Sequence, residues 1–224
     1  IGATDMGTGC DTILAQMAAE SLECHVDNVV VHGVDTDLSP YDTGSYASST
    51  TYITGMAVVK TCEKLRAKIL EEGARILDLP VDVLEFDGEK VFSLELNKEV
   101  SLKDIGNLSL VGQNKYLTAS ESHFSATSPP PFMAGAVEVE VDTETGEVEI
   151  IDYVAVVDCG TTINPNLAKI QVEGGIVQGI GMALYEDIVY DKKGRVIHDS
   201  FMKYKIPSRL DVGNIRVEFD SSYE

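Results

Sequence analysis

Between Gly135 and Asp158 the sequence reads as two strands joined by a tight turn, and the first of them alternates apolar and polar side chains with a period of two. Gly135-Ala136-Val137-Glu138-Val139-Glu140-Val141-Asp142 alternates strictly, as a half-buried strand does. Thr143-Glu144-Thr145-Gly146 then has the composition of a hairpin turn, and a return strand runs from Glu147 to Asp158. A helix follows, from Asn164-Pro165 to about Leu184, with proline early, where its missing N–H is not needed. That helix carries Gly174, Gly175, Gly179 and Gly181, a burden of roughly 3–4 kcal/mol relative to alanine.

The rest of the chain mixes helical and strand periods in the same way. Ile13, Leu14, Met17, Ala18 and Leu22 recur at helical spacing over residues 10–23, with Asp11 and Thr12 as capping-type side chains at the front. A β-rich run, Asn28 to Val34, reads as a strand and leads into a long polar loop, Asp35 to Ser49. A second helix is expected from about Thr51 to Asp78, stopped by Pro80. Residues 81–118 read as short strands, with Gly88 and Gly106 in turns. Ser128-Pro129-Pro130-Pro131 is stiff and extended and marks a boundary between residues 1–127 and 128–224. A hairpin across Lys192-Lys193-Gly194 and a last strand, Ile215–Phe219, complete the pattern. No tandem repeat is present. The expected architecture is α+β: two subdomains of twisted mixed sheet with helices packed on one face.

Composition narrows the function classes. The 224 residues hold 17 basic and 37 acidic side chains, a net charge of −20, and nucleic-acid binding needs a concentrated basic surface. Acidity of this kind serves solubility. No stretch approaches the roughly 20 apolar residues of a membrane span. The start, Ile1-Gly2-Ala3-Thr4-Asp5, lacks the charged and apolar regions of a signal peptide and begins mid-pattern, as a fragment does. Cys10, Cys24, Cys62 and Cys159 are too scattered for a zinc or iron–sulfur signature and read as small buried hydrophobes in a reducing cytoplasm. His25, His32, His123 and His198 are equally scattered.

Three segments could carry chemistry. Asp5-Met6-Gly7-Thr8-Gly9-Cys10-Asp11-Thr12 stands at a strand-to-helix junction, where free N–H groups and the helix dipole suit an anion; an ordinary tight turn has the same composition. Tyr41 to Thr51 sets hydroxyl residues around Ala47 just before a helix, as a phosphate or polar heterocycle would require, or as a loop that caps itself. Gln171-Val172-Glu173-Gly174-Gly175 places an amide beside glycines that serve either close packing or close ligand approach.

The order of these segments resembles the molybdenum-binding chain of the xanthine dehydrogenase and aldehyde oxidase family. That family shows a Gly-x-Gly loop, then a Pro-containing loop ending in Ala-Ser-x-Ser/Thr, then Asp-x-Gly, Asn-Pro and Gln-x-Glu-Gly. Here they stand as Gly7-Thr8-Gly9, Pro40 with Ala47-Ser48-Ser49-Thr50, and Asp158-Cys159-Gly160, Asn164-Pro165 and Gln171-Val172-Glu173-Gly174. Phe201-Met202-Lys203-Tyr204-Lys205-Ile206-Pro207 and the Glu138–Asp142 hairpin are similar too, so the resemblance spans the whole chain.

The resemblance implies the fold of that family's molybdopterin-binding domain and hydroxylation of an electron-poor carbon with oxygen from water. Purine-type heterocycles are the first expectation, nicotinate- or aldehyde-type substrates the second, and an assembly module without cofactor the third. It implies molybdenum on molybdopterin, as such or as the cytosine dinucleotide, with iron–sulfur clusters and FAD on partner domains or subunits in the cytoplasm. The remainder of the molybdenum-binding chain is a further expected partner. By matching position, Gly7, Thr8, Gly9 and Thr12 meet the pterin or its phosphates, and Ala47 presents backbone near molybdenum. Ser48, Ser49 and Thr50 lie at the cofactor, and Gln171 with Gly174 at the pterin or dithiolene side. Two departures weaken individual contacts: many relatives carry Gln at the position of Thr8, and bacterial ones often Arg at that of Ser49. The family's general base is a Glu in a Gly-Glu-Pro motif beyond the equivalent of Glu224. No catalytic residue is therefore expected here, and the isolated fragment is expected to be inactive.

Overall fold

The computed structural model describes residues 1–113 and 116–220. The chain divides into two compact units, Ile1–Thr127 and Ser128–Glu224; among the described residues the first has three α-helices and the second one, each unit with a three-stranded sheet.

In the first unit, α1 spans Cys10–Leu22 and α2 spans Gly55–Leu77. α2 is preceded by a wider π-helical turn, Thr50–Thr54, and it ends on Asp78 in the left-handed conformation, two residues before Pro80. Three short antiparallel strands follow: β1 (Glu85–Phe86), β2 (Lys90–Ser93) and β3 (Lys98–Ser101). α3, Leu102–Gln113, comes next. Ile69, Ala74, Leu84, Phe86, Val91 and Ile105 form the buried core of this unit. α2 reaches β2 through Gly73, where any Cβ would stand 2.6 Å from Val91 Cγ1. A smaller cluster, Ala3, Cys10 and Leu14, packs against Ile1, Ile13, Met17 and Val58 beneath the N-terminal turn.

In the second unit, β4 (Phe132–Val141) and β5 (Val148–Asp158) form the expected hairpin. Asp142 Oδ1 accepts the Glu144 and Thr145 N–H groups in its turn. β6, Asn214–Phe219, adds to β5 in parallel, so this sheet is mixed. α4 spans Pro165–Leu184, and the Asn164 side chain accepts the Leu167 N–H at its start. α4 covers β5 and β6 through Ile150, Ala155, Ile176, Ile180, Val212 and Val217. The α+β class is thus observed, with one antiparallel and one mixed sheet.

Several local expectations fail for identifiable reasons. Asn28–Val34 forms no strand among the described residues: Asn28 closes a 3-10 turn, Val26–Asn28, and Val34 takes a φ of 63°, so only the stretch between them is left to pair; there the Ile1 ammonium donates to the His32 carbonyl at 3.0 Å. Gly106 lies inside α3 rather than in a turn. The helix there is started by Ser101, whose hydroxyl accepts the Asp104 N–H and donates to the Asp104 carboxylate. β4 is exposed at all ten positions rather than half-buried, because α4 lies over β5 and β6. The 187–197 hairpin is reduced to one bridge, Tyr190 to Val196. Cys10 and Cys62 are buried as expected, whereas Cys159 is exposed. Among the described residues no helix is long and apolar enough to cross a membrane.

Candidate cofactor-binding site

The N-terminal turn is shaped by two glycines and one carboxylate. Gly7 and Gly9 take φ of 94° and 77°, a region that side-chain-bearing residues rarely occupy. Gly9 is the N-cap of α1 and gives no side-chain cap, so neither Asp11 nor Thr12 caps the helix as their types suggested. Asp5 does that work from a distance. Its Oδ1 accepts the N–H of Gly7 at 2.8 Å and of Gly9 at 3.2 Å, and its Oδ2 accepts the Asp11 N–H at 3.4 Å. The Gly7 N–H, followed by those of Gly9 and Asp11, holds the Asp5 carboxyl below the usual carboxylate range. No backbone hydrogen bond is made by the first-turn N–H groups of Cys10 and Thr12 among the described residues.

Thr8, between the glycines, has a buried Oγ1 with no hydrogen-bond partner. Its polar neighbour is the Cys10 sulfur, a weak acceptor. A buried hydroxyl left without a partner costs about 1–3 kcal/mol, so this position suits a ligand atom that accepts from it. Burial, with Asp5 and Asp11 close by, pushes the Cys10 thiol up to about 11. Asp5, Cys10 and Asp11 bring their ligating atoms within 4.8 Å of one another, a cluster that the turn's own hydrogen bonds explain.

The second segment lies in the same unit. Segment 40–42 packs against Gly2, where a Cβ would meet the Pro40 carbonyl at 2.3 Å. Ser45 Oγ donates to the Thr4 carbonyl at 3.5 Å, and Thr54 Oγ1 donates to Asp42 Oδ2 at 3.4 Å. The two turns are therefore tied together through residues 2–4, although no hydrogen bond joins residues 7–9 to 47–50 among the described residues. The centre of this loop is strained. Ala47 and Ser48 follow one another at φ of 51° and 57°, without a glycine between them. Non-glycine residues in this conformation cost roughly 1–2 kcal/mol each and cluster at functional sites. Both are exposed, while Ser49 and Thr50 are half-buried where the π-helical turn begins.

The third segment belongs to the second unit. Gln171 and Gly174 are exposed on α4. A Cβ built on Gly174, Gly175 or Gly179 meets nothing within 4 Å, so packing inside this unit does not account for these three glycines. Gly181 is different: a Cβ there would strike the Glu186 carboxylate, which accepts a short hydrogen bond from the Tyr204 hydroxyl. That bond raises the Tyr204 phenol. A cleft of about 640 Å³ opens beside Gly174, Gln178, Met182 and Tyr204. Sequence reasoning placed Asp5 in the first motif but gave it no role; the signal was an Asp two residues before a glycine, the pattern of a side chain that accepts its neighbours' N–H groups.

A molybdopterin cofactor-binding domain family matches residues 1–213 of the chain, and the chain belongs to that family. It is 36% identical over 219 residues to the probable hypoxanthine oxidase XdhD of Escherichia coli, covering 94% of this chain and 22% of that protein. It is 33% identical over 224 residues to the putative xanthine dehydrogenase molybdenum-binding subunit XdhA of the same organism, covering 97% of this chain and 30% of that one. Among solved structures it resembles reconstituted CO dehydrogenase from Oligotropha carboxidovorans, with a TM-score of 0.85 and 26% identity over 98% of this chain and 28% of that one. The chain thus spans less than a third of the length of these relatives.

Proposed function

We propose that this chain binds molybdopterin within a molybdenum hydroxylase that oxidises a purine-type N-heterocycle with oxygen from water. The observation that carries the cofactor assignment is the buried Thr8 Oγ1, which has no hydrogen-bond partner, beside a helix start where Asp5 leaves the Cys10 and Thr12 N–H groups unused. In this reading Gly7, Thr8, Gly9 and Thr12 meet the pterin or its phosphates through the Thr8 hydroxyl and the N–H groups of Cys10 and Thr12. Ala47 presents backbone to molybdenum, and Ser48, Ser49 and Thr50 donate their hydroxyls. The Gln171 amide pairs with the donor and acceptor edge of the pterin, and Gly174 lets the ring approach α4. When bound, the group supplies two-electron redox chemistry at molybdenum, while the protein supplies position and electrostatics. Its cytosine dinucleotide form, and iron–sulfur clusters and FAD on partner subunits as electron carriers, belong to the same proposal.

The purine preference rests on the 36% and 33% identities to proteins named for hypoxanthine and xanthine. A nicotinate- or aldehyde-type substrate is the second reading, favoured by 31% identity over 219 residues to a protein named as the nicotine 6-hydroxylase large subunit of Paenarthrobacter nicotinovorans. The test is metal and pterin analysis of the full enzyme, followed by turnover of hypoxanthine, nicotinate and an aldehyde in ¹⁸O-labelled water. Labelled product from hypoxanthine alone is expected. Label only in the other products refutes the purine assignment, and an enzyme without molybdenum refutes the cofactor assignment in favour of an assembly module.

A further inference from the structure

The Gly7-Thr8-Gly9 turn has the form of a backbone anion nest, with glycines in the left-handed region and successive N–H groups converging on one point. An anion already fills it. Asp5 takes the N–H groups of Gly7, Gly9 and Asp11, two, four and six residues ahead of it in the chain. A phosphate seated on the same three donors would have to displace this carboxylate, and two anions at one nest repel. The donors left to a ligand are those that Asp5 does not use: Thr8 Oγ1 and the N–H groups of Cys10 and Thr12.

We propose that Asp5 is a positioning residue, an internal anion that holds the glycine turn and thereby aims the Thr8 hydroxyl and the start of α1 at the cofactor. This rests on the cofactor reading given above. Gly9 gives no side-chain cap, and the N–H groups of Gly7, Gly9 and Asp11 are all accepted by the Asp5 carboxylate. The carboxylate substitutes for the missing cap and leaves Thr8 as the contact, acting through Thr8 rather than touching the cofactor itself.

The experiment uses the full enzyme with its partner subunits, as wild type, Asp5→Asn and Asp5→Ala. Amide hydrogen exchange on cofactor-free enzyme reads the turn directly, and the rate of pterin release from loaded enzyme reads its consequence. Exchange at Gly7, Gly9 and Asp11 should accelerate in both variants. Pterin release should be about tenfold faster in Asp5→Asn, the size of effect typical of residues that orient a ligating group, and faster still in Asp5→Ala, with melting of the Asn variant close to wild type. Unchanged exchange, or accelerated exchange with unaltered pterin release, overturns the inference while the cofactor reading stands. A reduced melting temperature with wild-type release from the folded fraction assigns Asp5 a structural role and also overturns it. Wild-type enzyme without pterin overturns the cofactor reading, and the inference falls with it.

Discussion

Replacing Gly174 by Ala separates the two explanations for the glycines of α4 by the sign of the stability change. The added Cβ meets no atom within 4 Å, so no clash offsets the gain in helix propensity. Alanine in a helix interior is favoured over glycine by about 1 kcal/mol, which corresponds to a rise of roughly 2–4 °C in Tm for a cooperative unit of this size and to a smaller rise for a larger one. Gly175 and Gly179 are equally open, so the triple replacement should add about 2–3 kcal/mol if the sites act independently. In the proposed function this stability was forgone so that the pterin can approach the helix. The assay is thermal unfolding of cofactor-free full enzyme beside molybdenum content of enzyme made with cofactor supplied. The expected pattern is a higher Tm in the cofactor-free protein and a lower molybdenum stoichiometry. A lower Tm with unchanged molybdenum would show that the glycines admit another polypeptide segment rather than a cofactor, and would refute the argument.

Gly73→Ala should do the reverse, costing about 1–3 kcal/mol in denaturant titration, because its Cβ would press on the fully buried Val91. Gln171→Ala should lower the molybdenum content of the full enzyme without unfolding it; unchanged stoichiometry counts against its role. Ala47→Leu should abolish turnover of enzyme that folds and assembles normally, and full turnover would place the loop elsewhere. Burial raises the thiols of both Cys10, to about 11, and Cys159, but Cys159 is exposed and Cys10 buried, so iodoacetamide at pH 8 should label Cys159 before Cys10, and the Cys159 rate should rise with pH; mass spectrometry after timed quenching checks the order.

The elements that the sequence made legible are those with one dominant period. α1, α4 and the β4–β5 hairpin lie within three residues of where periodicity and turn chemistry put them. α3 was lost because Gly106, Asn107 and Gly112 dilute its helical signal, although Ser101 and Asp104 carried a capping signature at its start. Asn28–Val34 shows the opposite error: its side chains alternate between half-buried and exposed as a strand's do, yet a strand is a property of two segments, and the sequence names only one.

Site legibility follows the same division. The positive φ of Gly7 and Gly9 is one that glycine adopts without penalty, so the sequence could point to a turn there. The left-handed pair at Ala47 and Ser48 could not be read in this way, because alanine and serine adopt that conformation only where surrounding structure imposes it. The same reasoning limits what the cap at α1 could reveal: Asp11 and Thr12 look like capping residues, but the helix starts before them on Gly9, and the carboxylate that takes the N–H groups of Gly7, Gly9 and Asp11 is Asp5, which stands before both glycines. A site built from strained backbone and borrowed caps is therefore visible in sequence only as the order of its motifs. Such strain persists only while the surrounding structure over-determines it. If the cofactor contributes to that constraint at Ala47 and Ser48, relieving the strain with Ser48→Gly should raise the stability of the cofactor-free protein while loosening its hold on the pterin.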